Sequence, residues 1–548
     1  MILKKANILT VIKISLMLVI TLIPFIKNGF YLNFFSGTIE ILLIFIFSQV
    51  MPYRINKITY LLSSMLFFIS LVNTGSLIFS GNYVTAIMWQ NLQNVKALGS
   101  MLQFYIIGLI LLVILSFLPM RFDLLKGKIV SKVILFYTID FIAILIIFVF
   151  KVGTPLTSVV DLNNELKDLN VQIMKLKKNA LSSDKIEQYY KDFEQPGISS
   201  GIDEPIDKPN VIVVFAEGFS SQVLDSNNKL GMNLTPNLDQ FSKETVNFKN
   251  YYNHTAATYH GIRGQLYSSY QFLHSYELGL GLMPQLLDTK LVSLQGILGN
   301  NGYTTSFFNA EPHQATFSNY LNLLGFDKVV TAPNNKQIKL SSGEKVVSDE
   351  ENYNEVLKNA EKSKSPFFIS TYLFGTHLDV SPEAKKNNVK DDRANAFYAS
   401  DLAFGDFWKA FKKSDLYDNT IVVFTTDHAT YPDPDYQNVF KDKRSEFVSS
   451  IPLMVYYPGV QPQTIDAAGR NSLSLAPTLL DLLNQENEKN YFLGKSLFTN
   501  ETTPFQYRTD IMGQEFSTYN NKVTPITQSD AVKSKIFDYF NISLNTSK

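Results

Sequence analysis

The sequence predicts two unlike parts: a helical membrane domain of five spans, then an α/β domain with a largely parallel sheet flanked by helices. Three observations predict it. Five apolar windows precede residue 155, apolar strands alternate with amphipathic helical segments after Pro209, and the charge changes sign between the two parts. Residues 1–160 carry 12 Lys and Arg against 3 Asp and Glu, a net +9, and residues 161–548 carry 37 against 46, a net −9. The zero net charge of the 548-residue chain is therefore a cancellation.

The spans come first. About 20 apolar residues cross the hydrocarbon of a bilayer as a helix, and such windows lie near Ile8–Ile26, Phe34–Val50, Ile58–Phe79, Met101–Pro119 and Val133–Val152. Basic residues cluster before the first span (Lys4, Lys5), between the second and third (Arg54, Lys57) and between the fourth and fifth (Arg121, Lys126, Lys128, Lys132). The other two connections hold only Lys27 and Lys96. Lys13 lies close enough to the end of the first window to snorkel. The positive-inside rule then puts the N-terminus in the cytoplasm and everything after residue 155 outside, as a multi-pass cell-membrane protein. Five nearly uncharged stretches in alternating charge register argue against a cleaved signal peptide followed by buried core helices. Glu40 and Asp140 lie in or beside spans and are given no role.

This divides the chain into a transmembrane domain (1–155), an amphipathic helical linker (156–205), the α/β domain (206–500) and a C-terminal extension packed on that domain or trailing from it (501–548). The linker rests on Leu162, Leu166, Leu169, Ile173 and Leu176 at helical spacing. In the α/β part, strands are expected at Val211–Ala216, Thr304–Phe308, Phe367–Tyr372, Thr420–Phe424 and Pro452–Tyr457. Helices are expected at Pro236–Thr245, Ser293–Asn300, Asn354–Ser363, Ala394–Lys413 and Ala476–Asn484.

In open parallel sheets, ligands bind beyond the carboxyl ends of the strands, so the residues that follow each strand matter most. They are Glu217; Asn309, Glu311 and His313; Thr376 and His377; and Thr425, Thr426, Asp427 and His428. Three of the six histidines fall at these ends, and His254 and His260 flank a Thr-rich turn that holds Thr255 and Thr258. The absence of cysteine excludes disulfides, thiolate metal sites and a cysteine nucleophile. Carboxylate and imidazole without thiolate suit a divalent cation, Mn²⁺ first, with Zn²⁺ or Mg²⁺ as alternatives. Asp427-His428 alone reads as a solvated turn; Glu217 at an equivalent strand end shifts the reading to a metal. The charge balance gives no ground for nucleic-acid binding.

The stretches Asn210–Glu217, Leu234-Thr-Pro-Asn-Leu238, Phe248–Tyr252, Thr258-x-x-Gly261, Thr425–His428, Ala476–Asp481 and Gly494–Leu497, in that order, resemble the sulfatase-like branch of the alkaline phosphatase superfamily. With five spans in front, the chain looks like the lipoteichoic acid synthases and related membrane phosphoglycerol or phosphoethanolamine transferases. The resemblance implies a sulfatase-like fold and a threonine nucleophile that is also a metal ligand. That threonine attacks a phosphatidylglycerol-like lipid, and the head group passes through a phosphothreonine to an extracellular glycan or teichoic polymer on a Gram-positive bacterium. Thr258 matches the nucleophile, with Thr255 its rival in the same turn. Glu217, Asp427 and His428 match the remaining metal ligands, and His377 matches a histidine that binds phosphoryl oxygens.

Two segments depart from that pattern. The synthases carry Trp and Arg after the strand that ends here at Phe308, where this chain offers Asn309-Ala-Glu-Pro-His313; His313 is the expected replacement for a substrate contact. The turn after Thr258 holds His260 and Arg263, both expected to contact substrate, the arginine as a bidentate phosphate clamp, with a surface or helix-cap role as its equal alternative. Competing readings are a sulfatase-like phosphodiesterase or hydrolase, a phosphoethanolamine transferase, and a scaffold that keeps only the fold. A formylglycine-type sulfatase needs Cys or Ser in a Cys/Ser-x-Pro-x-Arg context, and the corresponding turn reads Thr-Tyr-His-Gly-Ile-Arg. A scaffold predicts lost ligands, and none is lost.

Overall fold

The structure, a computed structural model, describes residues 2–28, 31–50, 56–80, 83–84, 89, 101–119, 153–164, 166–167, 208–270, 292–311, 315–331, 337–340, 345–378, 380–485, 490, 492–511 and 514–526. The chain divides into two compact units, Met1–Met174 and Lys175–Lys548.

In the first unit, α1 (Ile2–Asn28), α2 (Tyr31–Val50) and α3 (Asn56–Ser80) each contain a stretch long and apolar enough to cross a bilayer. The fourth expected span is a shorter apolar helix, α4 (Met101–Phe117). The fifth, Val133–Val152, lies outside the described residues. The bundle carries small polar side chains inside, among them Ser63, Ser64, Ser70 and Asn73, while Ile8, Val19, Ile58 and Leu111 are more than half exposed. Water would not tolerate so continuous an apolar exterior, whereas lipid tails solvate it.

Lys13 corrects the snorkelling expectation. Its side chain is fully buried, and Nζ donates to the carbonyls of Ser116 (2.6 Å) and Leu118 (3.1 Å) at the end of α4. A cation there satisfies carbonyls that the helix itself leaves unpaired. Glu40, given no role from the sequence, is also buried and accepts a hydrogen bond from the Leu156 N–H at 2.9 Å. Of the expected linker, residues 157–164 are helical and 168–205 lie outside the described residues.

The second unit is built on an eight-stranded sheet. Its strands are β1 (Asn210–Ala216), β2 (Val246–Lys249), β3 (Thr304–Asn309), β4 (Lys328–Thr331), β7 (Phe367–Tyr372), β8 (Thr420–Thr426), β9 (Leu453–Tyr456) and β10 (Gln463–Asp466). They are ordered β10-β2-β9-β8-β1-β7-β3-β4, with β9 alone running against the rest. The hairpin β5 (Gln337–Lys339) and β6 (Lys345–Val347) stands apart from this sheet.

Central β1 shows why its sequence is apolar throughout. Val211, Val213 and Phe215 enter one hydrophobic cluster, and Ile212, Val214 and Ala216 enter the other. Side chains alternate across a strand, so a strand covered on both faces needs apolar residues at every position. The first cluster receives Ile262 and Leu266 from α6 (Thr258–Tyr267) and Leu475 and Leu479 from α12 (Leu475–Leu482). The second receives Tyr353 and Val356 from α9 (Asp349–Lys362) and Phe404 and Trp408 from α10 (Asp392–Phe411). The described residues of the unit also form the helices α5 (Pro236–Ser242), α7 (Leu294–Asn300), α8 (Ala315–Asn322) and α11 (Pro434–Phe440), together with a small antiparallel sheet. That sheet comprises β11 (Arg508–Ile511), β12 (Gln514–Ser517) and β13 (Thr524–Pro525).

Candidate active site

Parallel pairing sets Ala216 opposite Thr426, so the residues that follow, Glu217 and Asp427, leave adjacent strands side by side. Each is fixed by local hydrogen bonds. Asp427 Oδ1 accepts from the N–H groups of Gly218 (2.8 Å) and His428 (2.7 Å). The turn that aims the Gly218 N–H needs φ +49, a left-handed value that glycine adopts without strain. His428 Nδ1 lies 2.8 Å from the Ala429 carbonyl, an acceptor only, so Nδ1 is protonated and Nε2 is the nitrogen turned to the two carboxylates. Nε2 faces Asp427 Oδ2 at 3.4 Å and Glu217 Oε1 at 3.7 Å.

These three buried residues offer ligand atoms that all lie within 4.8 Å of one another. Asp427 Oδ2 is buried with no hydrogen-bond partner. Burial, followed by the charge of Glu217, pushes the Asp427 carboxyl up to about 7. Burial would also raise Glu217, but His428, His377 and the Tyr372 hydroxyl outweigh it and hold that carboxyl below its usual range. Two carboxylates converging with an imidazole nitrogen in a buried site are costly to leave uncompensated. A divalent cation satisfies all three, and the hard oxygen and borderline nitrogen donors fit Mn²⁺, Zn²⁺ or Mg²⁺.

The turn read as Thr-rich ends at Ala257, and Thr258 opens α6. Thr258 Oγ1 donates to Glu217 Oε2 at 3.1 Å, and the residue is partly exposed. Thr255 is buried, and its backbone accepts from Asn253 Nδ2 at 2.8 Å while bridging to Asp510. Thr258 is therefore the threonine whose hydroxyl meets the acidic cluster.

His260 and Arg263, expected as substrate contacts, lie on other faces of α6 than Thr258. At 3.6 residues per turn they lie roughly 200° and 140° around α6 from Thr258. His260 is buried, with its ring 4.3 Å from that of Tyr259. Arg263 is also buried, its guanidinium 4.8 Å over the Tyr267 ring and Nη1 3.4 Å from Ser269 Oγ. Helical periodicity, invisible while the segment was read as a turn, separates both from the face that carries Thr258. His254 is buried too, its Nδ1 2.6 Å from Ser472 Oγ; burial, then the nearby His260, lowers it to about 3, so it is neutral.

His377 follows β7 on a loop that is pinned three ways. Asp349 accepts from the N–H groups of Phe374 (3.2 Å) and Gly375 (2.9 Å), Thr376 Oγ1 donates to the Glu217 carbonyl, and Arg393 Nη1 donates to the Thr376 carbonyl at 2.6 Å. The His377 ring stacks on Phe374 with centroids 4.4 Å apart. His313 lies outside the described residues.

Sequence reasoning missed Asp349, Arg393 and Tyr372. The Tyr372 hydroxyl donates to Glu217 Oε2 at 2.5 Å. Burial, followed by the Glu217 charge, pushes this phenol well above its ordinary range, so it stays a donor. The available signal was its position as the last residue of a strand neighbouring β1.

A mostly parallel sheet thus carries a buried Glu-Asp-His cluster at its carboxyl edge, with the hydroxyl of Thr258 beside it at the N-terminus of α6. Residues 209–485 match the sulfatase family model, and the chain belongs to that family. It is similar to lipoteichoic acid synthase-like YvgJ of Bacillus subtilis strain 168, with 24% identity over 324 residues that cover 54% of this chain and 51% of that protein. It is also similar to lipoteichoic acid synthase 1 of the same organism, with 23% identity over 331 residues covering 53% and 48%. The chain thus spans about half the length of the curated relatives it matches. Among solved structures, a protein in the alkaline phosphatase superfamily from Vibrio parahaemolyticus shares the fold. The TM-score is 0.50 at 19% identity, with 67% of this chain and 96% of that one covered.

Proposed function

We propose that this protein is a membrane-anchored, metal-dependent transferase that moves a phosphoglycerol group from a phosphatidylglycerol-like lipid to an extracellular glycan or teichoic polymer. The supporting observation is the placement of Thr258, partly exposed, with its hydroxyl 3.1 Å from Glu217 at the edge of the buried Glu217, Asp427 and His428 cluster. In this reading Glu217, Asp427, His428 and Thr258 hold the cation, and His377 contacts phosphoryl oxygens. When bound, the cation eases deprotonation of a hydroxyl and stabilises charge on phosphoryl oxygens.

Thr258 Oγ attacks the lipid phosphorus, the bond from phosphorus to the diacylglycerol oxygen breaks, and that oxygen leaves with a proton as diacylglycerol. The phosphoglycerol is then held on Thr258 at the N-terminus of α6, an end of a helix that favours negative charge. An acceptor hydroxyl attacks the same phosphorus, loses its proton and returns Thr258 to its free form. The membrane unit keeps this site near its lipid donor. The domain division in this reading is 1–155 in the membrane with the N-terminus cytoplasmic, 156–205 as linker, 206–500 as an extracellular catalytic domain and 501–548 as its extension. Diacylglycerol release by the full chain in mixed micelles tests it, with phosphatidylglycerol and phosphatidylethanolamine run side by side. Release from phosphatidylglycerol that requires an added divalent cation is expected; no release from any donor overturns the reading.

A further inference from the structure

We propose that Tyr372 is a positioning residue for the metal centre: its hydroxyl, donating to Glu217 Oε2, holds that carboxylate with Oε1 turned toward His428. This inference rests on the metal-binding reading of Glu217, Asp427 and His428. Tyr372 ends β7 in parallel register with Phe215, two residues before Glu217, so the sheet delivers the phenol to the carboxylate from the side opposite Asp427. The ring is 1% exposed and lies edge-on to Phe317 (5.6 Å) and Phe374 (6.2 Å). Phenylalanine would fill this aromatic setting equally well, so packing does not account for the oxygen.

Glu217 Oε2 receives two donors, Tyr372 at 2.5 Å and Thr258 at 3.1 Å, while Oε1 faces His428 Nε2 at 3.7 Å. The two donors differ during turnover. Once Thr258 carries a phosphoryl group it has no hydroxyl proton to donate, and Tyr372 is the donor left on Oε2. The fixed phenol therefore keeps Glu217 in one orientation through both halves of the reaction, as outer hydrogen-bonding partners do for metal-ligating groups.

The test is Mn²⁺ titration of the metal-free full chain in detergent, followed by the electron paramagnetic resonance signal of free Mn²⁺. Tyr372→Phe is expected to weaken Mn²⁺ binding by about 10–100-fold and to change the line shape of the bound ion. Tyr353→Phe, which removes a buried hydroxyl with no hydrogen-bond partner from the other hydrophobic cluster, is expected to leave affinity within about twofold. Tyr372→3-fluorotyrosine keeps the ring and the donor and is expected to bind within about threefold of wild type, which separates loss of the hydrogen bond from misfolding. Wild-type affinity in Tyr372→Phe, with binding abolished by Glu217→Gln, overturns the role of Tyr372 and leaves the metal centre standing. Wild-type affinity in Glu217→Gln overturns the metal reading and this inference with it.

Discussion

A Cβ placed on Gly261 would lie 2.0 Å from the backbone carbonyl oxygen of Asp427. The first turn of α6 therefore rests directly on the backbone of a candidate metal ligand, and Thr258, one helical turn earlier on the same face, is held beside Glu217. Gly261→Ala must push the two segments apart. Overpacking of this kind costs about 1–3 kcal/mol, and a displacement near 1 Å at a reacting group costs on the order of a hundredfold in rate. Thermal unfolding and the rate of diacylglycerol release are both expected to fall.

Ala257 sits at φ 72, ψ 135 immediately before Thr258, a conformation that costs an L-residue about 1–3 kcal/mol. Glycine adopts it freely. Ala257→Gly is expected to match or exceed wild-type stability with turnover kept, and Ala257→Val to lose about 1–2 kcal/mol, both read by thermal unfolding.

The metal centre is expected to be pH-dependent with a defined sign. The raised Asp427 carboxyl, at about 7 in the metal-free fold, lies above its unfolded value near 3.9. Its contribution to metal-free stability is thus present below about 4 and is lost as pH rises through about 7. Glu217 is held low and acts oppositely: its contribution is present above its unfolded value near 4.3 and is lost as pH falls through its depressed folded value. Cation binding must displace the Asp427 proton. Mn²⁺ titrations at pH 6 in buffers of different ionisation enthalpy are expected to show proton release that fades by about pH 8, with affinity declining on acidification.

The C-terminal segment supports the turn that leads into Thr258. Thr509 Oγ1 donates to the Asn253 carbonyl at 2.6 Å and the Asp510 N–H donates to the His254 carbonyl at 2.9 Å. Thr509→Val leaves a buried carbonyl short of its donor, a loss of about 1–3 kcal/mol. Denaturant unfolding checks the stability change, and a slower first half-reaction is the expected functional consequence.

Much of this was legible in the sequence because β1, β7 and β8 are buried at every position, and their largely apolar runs mark such strands clearly. Their ends then exposed Glu217, His377, Asp427 and His428 as a set. The short strand β2, with Asn247 and Lys249 alternating with buried Val246 and Phe248, gives too weak a pattern to be read as a strand. The start of α6 was hidden for a related reason: Gly261 and Gly264 are poor helix formers, and tertiary packing, not propensity, requires them. Once that helix is placed, His260 and Arg263 fall on other faces than Thr258. Tyr372 reads as one more aromatic filling a sheet, since the acceptor of its hydroxyl lies 155 residues away in the chain. Lys13 looked like a span-edge cation because the carbonyls it caps belong to a helix more than 100 residues further on.

The most direct test is intact-mass and peptide analysis of the full chain quenched during turnover with phosphatidylglycerol and Mn²⁺ in the absence of acceptor. A phosphoglycerol adduct located on Thr258 is expected, present in wild type and lost in Thr258→Ala. Turnover of the lipid by Thr258→Ala at the wild-type rate, or an adduct mapped to Thr255, would refute Thr258 as the nucleophile.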